Sequence, residues 1–191
     1  MTLPLAQLAR IGAYTLHQHI KSGKYPIVLM LEPLYRCNLA CPGCGKIDYP
    51  DAILNQRMSF EQCMDAIDEC GAPAVSIAGG EPLLHRDMPR IVEGYIAKKK
   101  LVILCTNALL LKKKIDDYKP SPFFTWSIHL DGDKAMHDHA VDLDGTYEIA
   151  VEAIELAKAK GFRVQVNCTV FDGADSTRLA TFFDEMERLG V

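Results

Sequence analysis

The sequence predicts an α/β domain in which a parallel sheet is covered by helices. Two observations lead there. Short apolar runs alternate with helix-patterned segments along most of the 191-residue chain, and Gly or Pro marks most junctions. Regular βα alternation with short connections implies parallel strands joined by crossover helices. At roughly 150 residues per domain, the length gives one domain. A chain that is 49% hydrophobic and 24% charged is neither disordered nor collagen-like.

The elements follow in order. Residues 1–26 read as an N-terminal helix and linker, with Leu5, Leu8, Ile11, Leu16 and Ile20 at helical spacing. Ile27–Leu31 is strand one, and a long loop over 37–57 carries three cysteines. Ser59 caps the next helix with Gln62 in capping-box register, and that helix runs to about Cys70 before Gly71 and Pro73. Ala74–Ala78 is strand two, Asp87 to Lys99 a helix, and Leu101–Cys105 strand three. A short helix over 108–117 precedes strand four, Phe123–Leu130. Gly145 to Lys160 is a helix, Arg163–Val170 strand five, and Asp175 to Leu189 the last helix. A sixth strand is expected where the chain stops, so the sequence reads as C-terminally incomplete relative to a full catalytic domain. Periodicity alone does not choose between a doubly wound sheet and a complete or partial barrel.

The net charge of -4 argues against a general nucleic-acid binder, because neutralising phosphates takes a basic surface. No run of eighteen apolar residues or signal-peptide pattern is present, so a cytoplasmic location is expected. Seven cysteines, an odd number, suggest metal or redox chemistry rather than a disulfide framework.

Three of those cysteines fall within eight residues, at C-x3-C-x2-C spacing: Cys37, Cys41 and Cys44. Thiolates are soft ligands that suit iron–sulfur clusters or zinc. A structural zinc site normally takes four protein ligands, and the nearest histidine, His85, is two elements away. Three thiolates on a four-iron cluster would leave one iron open. A zinc knuckle completed by a distant Cys or His stays open on spacing alone. Cys63, Cys70 and Cys168 read as packing residues.

Strand two ends in Gly79-Gly80-Glu81-Pro82. Glycines permit close backbone approach, and a carboxylate with exposed carbonyls complements an ammonium group. Strand three ends Cys105-Thr106-Asn107. On strand four, period two places Ser127, His129 and Asp131 on one face; strand five does the same for Gln165, Asn167 and Thr169. All lie at the strand ends where α/β active sites form.

Taken together, these motifs resemble the radical S-adenosylmethionine (SAM) enzymes. The resemblance implies a partial (β/α)6 TIM-like barrel over residues 27–191, ending before the sixth strand. It implies a [4Fe–4S] cluster on Cys37, Cys41 and Cys44, with SAM as the second cofactor. Gly79, Gly80 and Glu81 match the motif that binds the methionyl amino group, and Thr106, Asn107, Ser127, His129 and Asn167 the positions around the rest of SAM. One departure is Gly43, where most of the family carries an aromatic residue before the third cysteine.

The stretches LEPLYRCNLACPGCGKI, LCTNALLL and KPSPFFTWSIHLDG are similar to the hopanoid-biosynthesis branch of that family. That likeness implies a transferase adding the 5′-deoxyadenosyl radical to the alkene of diploptene, with Cys105 returning a hydrogen atom to the product radical. It also implies a flavodoxin- or ferredoxin-type electron donor. Two alternatives remain at this stage: a radical enzyme modifying a peptide or other small molecule, and a zinc-stabilised non-catalytic module. The N-terminal helix is expected either to pack across the barrel bottom or edge, or to rest on an anionic bilayer as a peripheral contact.

Overall fold

Each strand of the sheet pairs with the next strand of the sequence. A computed structural model describes residues 4–21, 23–46 and 48–191. Helix α1 (Leu5–Lys21) leads into β1 (Val28–Leu31). Then come α2 (Asp51–Leu54), α3 (Phe60–Cys70), β2 (Ala74–Ile77) and α4 (Met88–Ala97). They are followed by β3 (Leu101–Thr106), α5 (Leu111–Lys114), β4 (Phe124–His129) and α6 (Lys134–Val141). The order closes with α7 (Thr146–Ala159), β5 (Arg163–Asn167) and α8 (Ser176–Leu189). The sheet is parallel throughout, in the order β1-β2-β3-β4-β5.

Alternation along the strands divides the sheet into two chemically different faces. Val75, Ile77, Val102, Leu104, Phe124, Trp126, Ile128 and Val164 point outward and are buried. Helices α3, α4 and α7 cover that face. Each such side chain contributes about 1.5–3 kcal/mol by leaving water. Trp126 lies 4.8 Å from both Phe124 and Tyr118, ring centre to ring centre. The opposite face carries Ser76, Cys105, Ser127, His129, Gln165 and Asn167. The core therefore sits between sheet and helices, and the inner face is free to build a site.

Local chemistry fixes the helix ends. Ser59 Oγ accepts from Gln62 N, and Gln62 Oε1 accepts from Ser59 N, which is the expected capping box. Asp133 caps α6 by accepting from Met136 N.

Some expected boundaries differ. The segment 108–117 is not one helix but a single α-turn followed by a 3-10 turn, Ile115–Asp117. Strand five stops at Asn167 rather than Val170, because Thr169 N turns to the Asp131 carboxylate instead of a neighbouring strand. Helix α2 falls in the stretch read as a loop, and α6 lies between strand four and the Gly145 helix, where no element is expected.

Helix α1 packs across the strand N-termini. Gln7 is buried and its Nε2 donates to Pro122 O. Arg10 lies over the Phe123 ring, and the Tyr14 hydroxyl donates to Pro26 O. Leu5, Leu8, Leu16 and Ile20 on the other side remain exposed. Among the described residues no helix is long and apolar enough to cross a membrane.

Candidate active site

The strand C-termini and the cysteine loop enclose a cavity of about 440 Å³, a size typical of small-molecule sites. Cys37, Cys41, Cys44, Gly79, Gly80, Glu81, Cys105, Thr106, Asn107, His129 and Asn167 all line it. Cys37 and Asn167, 130 positions apart in sequence, thus meet in one place.

The cysteine loop is closed at its base. Leu34 and Arg57 form an antiparallel bridge, and Met58 N donates to Pro33 O. Arg36 reaches Asp51 at 2.8 Å and Asn55 at 3.0 Å. Pro42 and Gly43 form a turn in which Cys44 N donates to Cys41 O. Gly43 adopts φ +79, a left-handed conformation that would strain an aromatic residue there. Glycine in place of the expected aromatic suits this turn.

Glycine at 79 and 80 is required by close approach. A Cβ on Gly80 would meet Arg36 O at 2.2 Å and Tyr35 O at 2.3 Å; one on Gly79 would meet Leu34 O at 2.3 Å. Gly80 N donates to Leu34 O and Glu81 N to Arg36 O, so the end of β2 is laid directly under the loop entry.

Glu81 is 1% exposed. Its Oε1 accepts from Leu83 N at 3.0 Å and Thr106 Oγ1 at 2.8 Å, and its Oε2 from Asn107 N at 2.9 Å. A carboxylate offers about four lone-pair positions, which leaves one on Oε2. Burial pushes its pKa up, against these three donors. Asn107 Nδ2 donates to Asn38 Oδ1 at 2.8 Å and approaches Cys37 Sγ at 3.7 Å. Glu81, Asn107 and Asn38 thus connect β2, β3 and the cysteine loop.

All seven cysteines are free thiols. Burial raises the Cys37 thiol, opposed by the Leu39 N–H and reinforced by the Glu81 carboxylate; burial and the neighbouring thiols raise Cys41. Thiols held this way bind metal with release of protons. Among the described residues no three His, Cys, Asp or Glu side chains converge as a single-ion cage. Cys37, Cys41 and Cys44, three soft donors lining one cavity, are the residues that would hold an iron–sulfur cluster.

His129 Nε2 bonds Asp131 Oδ2 at 2.7 Å. Asp131 is buried; desolvation opposes its charge, but the His129 bond and Thr169 N–H prevail and lower its pKa. His137 Nδ1 accepts from Asp131 N.

One expected site residue stands apart. Ser127 does not line the cavity. It is buried at 3% exposure, its hydroxyl accepts from Gln165 Nε2 at 3.2 Å, and it lies in register with Cys105. Sequence reasoning missed Asn38, Lys46 and Ser76. Lys46 lines the cavity while paired to Glu32 at 2.9 Å. Ser76 gave one signal, a hydroxyl within the apolar run Ala74–Ala78. Of the remaining cysteines, Cys63 is fully buried, and Cys70 and Cys168 pack against the core.

Comparison with known proteins agrees with this geometry. The chain is 33% identical over 145 residues to the mycofactocin maturase MftC of Mycolicibacterium smegmatis, covering 72% of this chain and 36% of that protein. It is 28% identical over 177 residues to the GTP 3′,8-cyclase of Aquifex aeolicus, covering 86% and 54%. The chain thus spans about a third to a half of these relatives' length. Streptococcus suis SuiB bound to S-adenosylmethionine superposes with a TM-score of 0.73 at 20% identity, over 97% of this chain and 42% of that one. The partial-barrel architecture is therefore shared, and the family uses a [4Fe–4S] cluster and SAM. The profile described as the Radical SAM superfamily matches residues 31–185, and the chain belongs to that superfamily.

Proposed function

We propose that this chain is the catalytic core of a radical SAM transferase that joins a 5′-deoxyadenosyl group to the alkene carbon of diploptene, giving adenosylhopane. The observation that carries the reading is Cys105, a thiol at the C-terminal end of β3 that lines the same cavity as the three clustered cysteines. When bound, the cluster and SAM supply a 5′-deoxyadenosyl radical, chemistry that belongs to the cofactors.

The residues divide the remaining work. Cys37, Cys41 and Cys44 hold the cluster. The carbonyls of Gly79 and Gly80 and the free lone pair of Glu81 receive the methionyl ammonium. Thr106, Asn107, His129 and Asn167 surround the rest of SAM. Addition to the alkene leaves a tertiary carbon radical on the substrate, and Cys105 gives it a hydrogen atom. Burial raises the Cys105 pKa, favouring the S–H form that can donate one. A second cavity of about 490 Å³ is lined by Pro42, Met136, Ala140, Phe171 and Ala174. It adjoins the cysteine loop at Pro42 and includes Asp131, the partner of His129, and its apolar wall suits a hydrocarbon. Electrons come from a flavodoxin- or ferredoxin-type protein. The exposed apolar stripe of α1, on a helix with no acidic side chain, supports peripheral contact with an anionic bilayer.

The test is anaerobic reconstitution of the full-length protein with iron and sulfide, then incubation with SAM, a one-electron reductant and diploptene. Mass spectrometry is expected to find adenosylhopane. Cys105→Ala is expected to keep SAM cleavage and lose the reduced adduct; an unchanged product would remove Cys105 from the reaction. Absence of both 5′-deoxyadenosine and adduct at full iron load would overturn the enzyme reading. Vesicles containing phosphatidylglycerol are expected to retain the protein, and to lose it in a Leu5→Ser, Leu16→Ser, Ile20→Ser variant; equal retention of both would remove the membrane role.

A second reading, modification of a peptide or other small molecule, is favoured by the likeness to the mycofactocin maturase. 5′-Deoxyadenosine without a hopanoid adduct would move the assignment there.

A further inference from the structure

The layer of the inner face at Cys105 is small and polar. In a closed (β/α)8 barrel such layers are dominated by bulky branched side chains. Here Cys105 is registered opposite Ser127, and Ser127 opposite Gln165. On the other side Ser76 Oγ lies 3.9 Å from Cys105 Sγ. The thiol is therefore flanked by Ser76 on one side and by its register partner Ser127 on the other, and both serines are buried, at 9% and 3% exposure.

The hydrogen-bond directions follow from the donors. The Gln165 amide N–H can only donate, and it donates to Ser127 Oγ at 3.2 Å. The Ser127 hydrogen is thereby turned away from Gln165, and the register places Cys105 on its other side. A sulfur that accepts from Ser127 directs its own hydrogen elsewhere, toward Ser76 and the cavity that Cys105 lines.

We infer that Ser76 and Ser127 are positioning residues for Cys105, fixing the direction of its S–H bond and returning its proton after transfer. The inference rests on the reading of Cys105 as hydrogen-atom donor. The balance is simple. The S–H bond breaks homolytically and a C–H bond forms, leaving a saturated product and a sulfur-centred radical. That radical is restored by one electron from the same class of one-electron reductant and one proton. The proton is passed by a hydroxyl in contact with sulfur, which regains its own from solvent. No further oxidant is needed.

Ser76→Ala, Ser127→Ala, Ser127→Thr and Cys105→Ala in the reconstituted full-length holoenzyme test this, in deuterated buffer with diploptene. The readouts are saturated adduct formed per methionine released, and the configuration and deuterium content at the new C–H centre. The two serine-to-alanine variants are expected to lower the adduct-per-methionine ratio about fivefold, as for loss of one hydrogen bond to the reacting group. They are also expected to scramble the new centre, while Ser127→Thr, which keeps the hydroxyl, restores both. A merely structural role would lower methionine release and adduct in parallel and leave the ratio fixed. Unchanged ratio and configuration in both alanine variants, with Cys105→Ala altered, would overturn the positioning role and leave the Cys105 assignment standing. A wild-type product from Cys105→Ala would overturn both. If Ser127→Ala does not accumulate as folded protein, Ser76→Ala decides.

Discussion

Glu81 Oε2 accepts the backbone N–H of Asn107 at 2.9 Å, so a buried carboxylate at the end of β2 fixes the first residue beyond β3. The same carboxylate takes Leu83 N and Thr106 Oγ1. Removing a buried acceptor orphans its donors, at about 1–3 kcal/mol each. Glu81→Ala is expected to destabilise the cofactor-free chain by about 3 kcal/mol or more, with three donors affected. Glu81→Gln keeps one oxygen but turns an NH₂ toward an N–H donor, so it should fall between wild type and alanine. Denaturant unfolding of the three proteins checks that order.

Gly80→Ala tests the close approach of β2 to the loop. The added methyl would sit 2.2 Å from Arg36 O, which is backbone and has no rotamer to yield. The loop entry must shift, losing the Gly80 N to Leu34 O and Glu81 N to Arg36 O bonds. Overpacking of this kind costs about 1–3 kcal/mol. Both the unfolding midpoint and the iron bound after reconstitution should fall, measured by calorimetry and by iron assay.

His137 gives a pH dependence with a definite sign. It is buried, its Nδ1 accepts from Asp131 N, and burial together with the nearby His129 lowers its pKa, opposed by Asp131 and Asp138. The folded state therefore prefers neutral imidazole. Below the ordinary histidine pKa of about 6.5 the unfolded chain binds a proton that the folded one resists. The stabilisation is complete above that pH and is lost as pH falls toward the depressed folded value. Unfolding free energy of the cofactor-free chain should decline between pH 7 and pH 5.5, and His137→Asn should flatten that slope.

Trp126 separates packing from hydrogen bonding. It is fully buried against Phe124, Tyr118 and Phe162, and its indole N–H has no acceptor among the described residues. Trp126→Ala is expected to cost about 3–5 kcal/mol. Trp126→Phe should cost far less, because it removes an unpaired donor along with the lost area. Urea midpoints of the two variants decide.

The parts legible in the sequence were those with a local cause. The capping box at Ser59 and Gln62, the glycine that ends α3 and the strand apolarity needed only neighbouring residues. So did the cysteine spacing and the Gly-Gly-Glu stop. Helix α6 was not legible, since its sequence KAMHDHAV offers no continuous apolar stripe. Distant partners support it: Arg178 holds the Asp133 cap, and Asp138 receives Gly145 N, Thr146 Oγ1 and Tyr147 N. Period alone places Ser127 on the inner face, and only the register across β4 and β5 shows that its hydroxyl accepts from Gln165 Nε2. Asn38 matters only because Asn107, 69 positions away, reaches it.

Strand order equal to sequence order has a consequence for synthesis. A chain emerging from the ribosome always has the partner of its newest strand already made, so no β-edge waits for a distant segment. The cysteine loop, Gly79-Gly80-Glu81 and Asn107 are all translated before β4 begins. The half of the barrel that carries the three-cysteine loop can therefore settle while Ser127 and Gln165, on the far side of Cys105, are still being added.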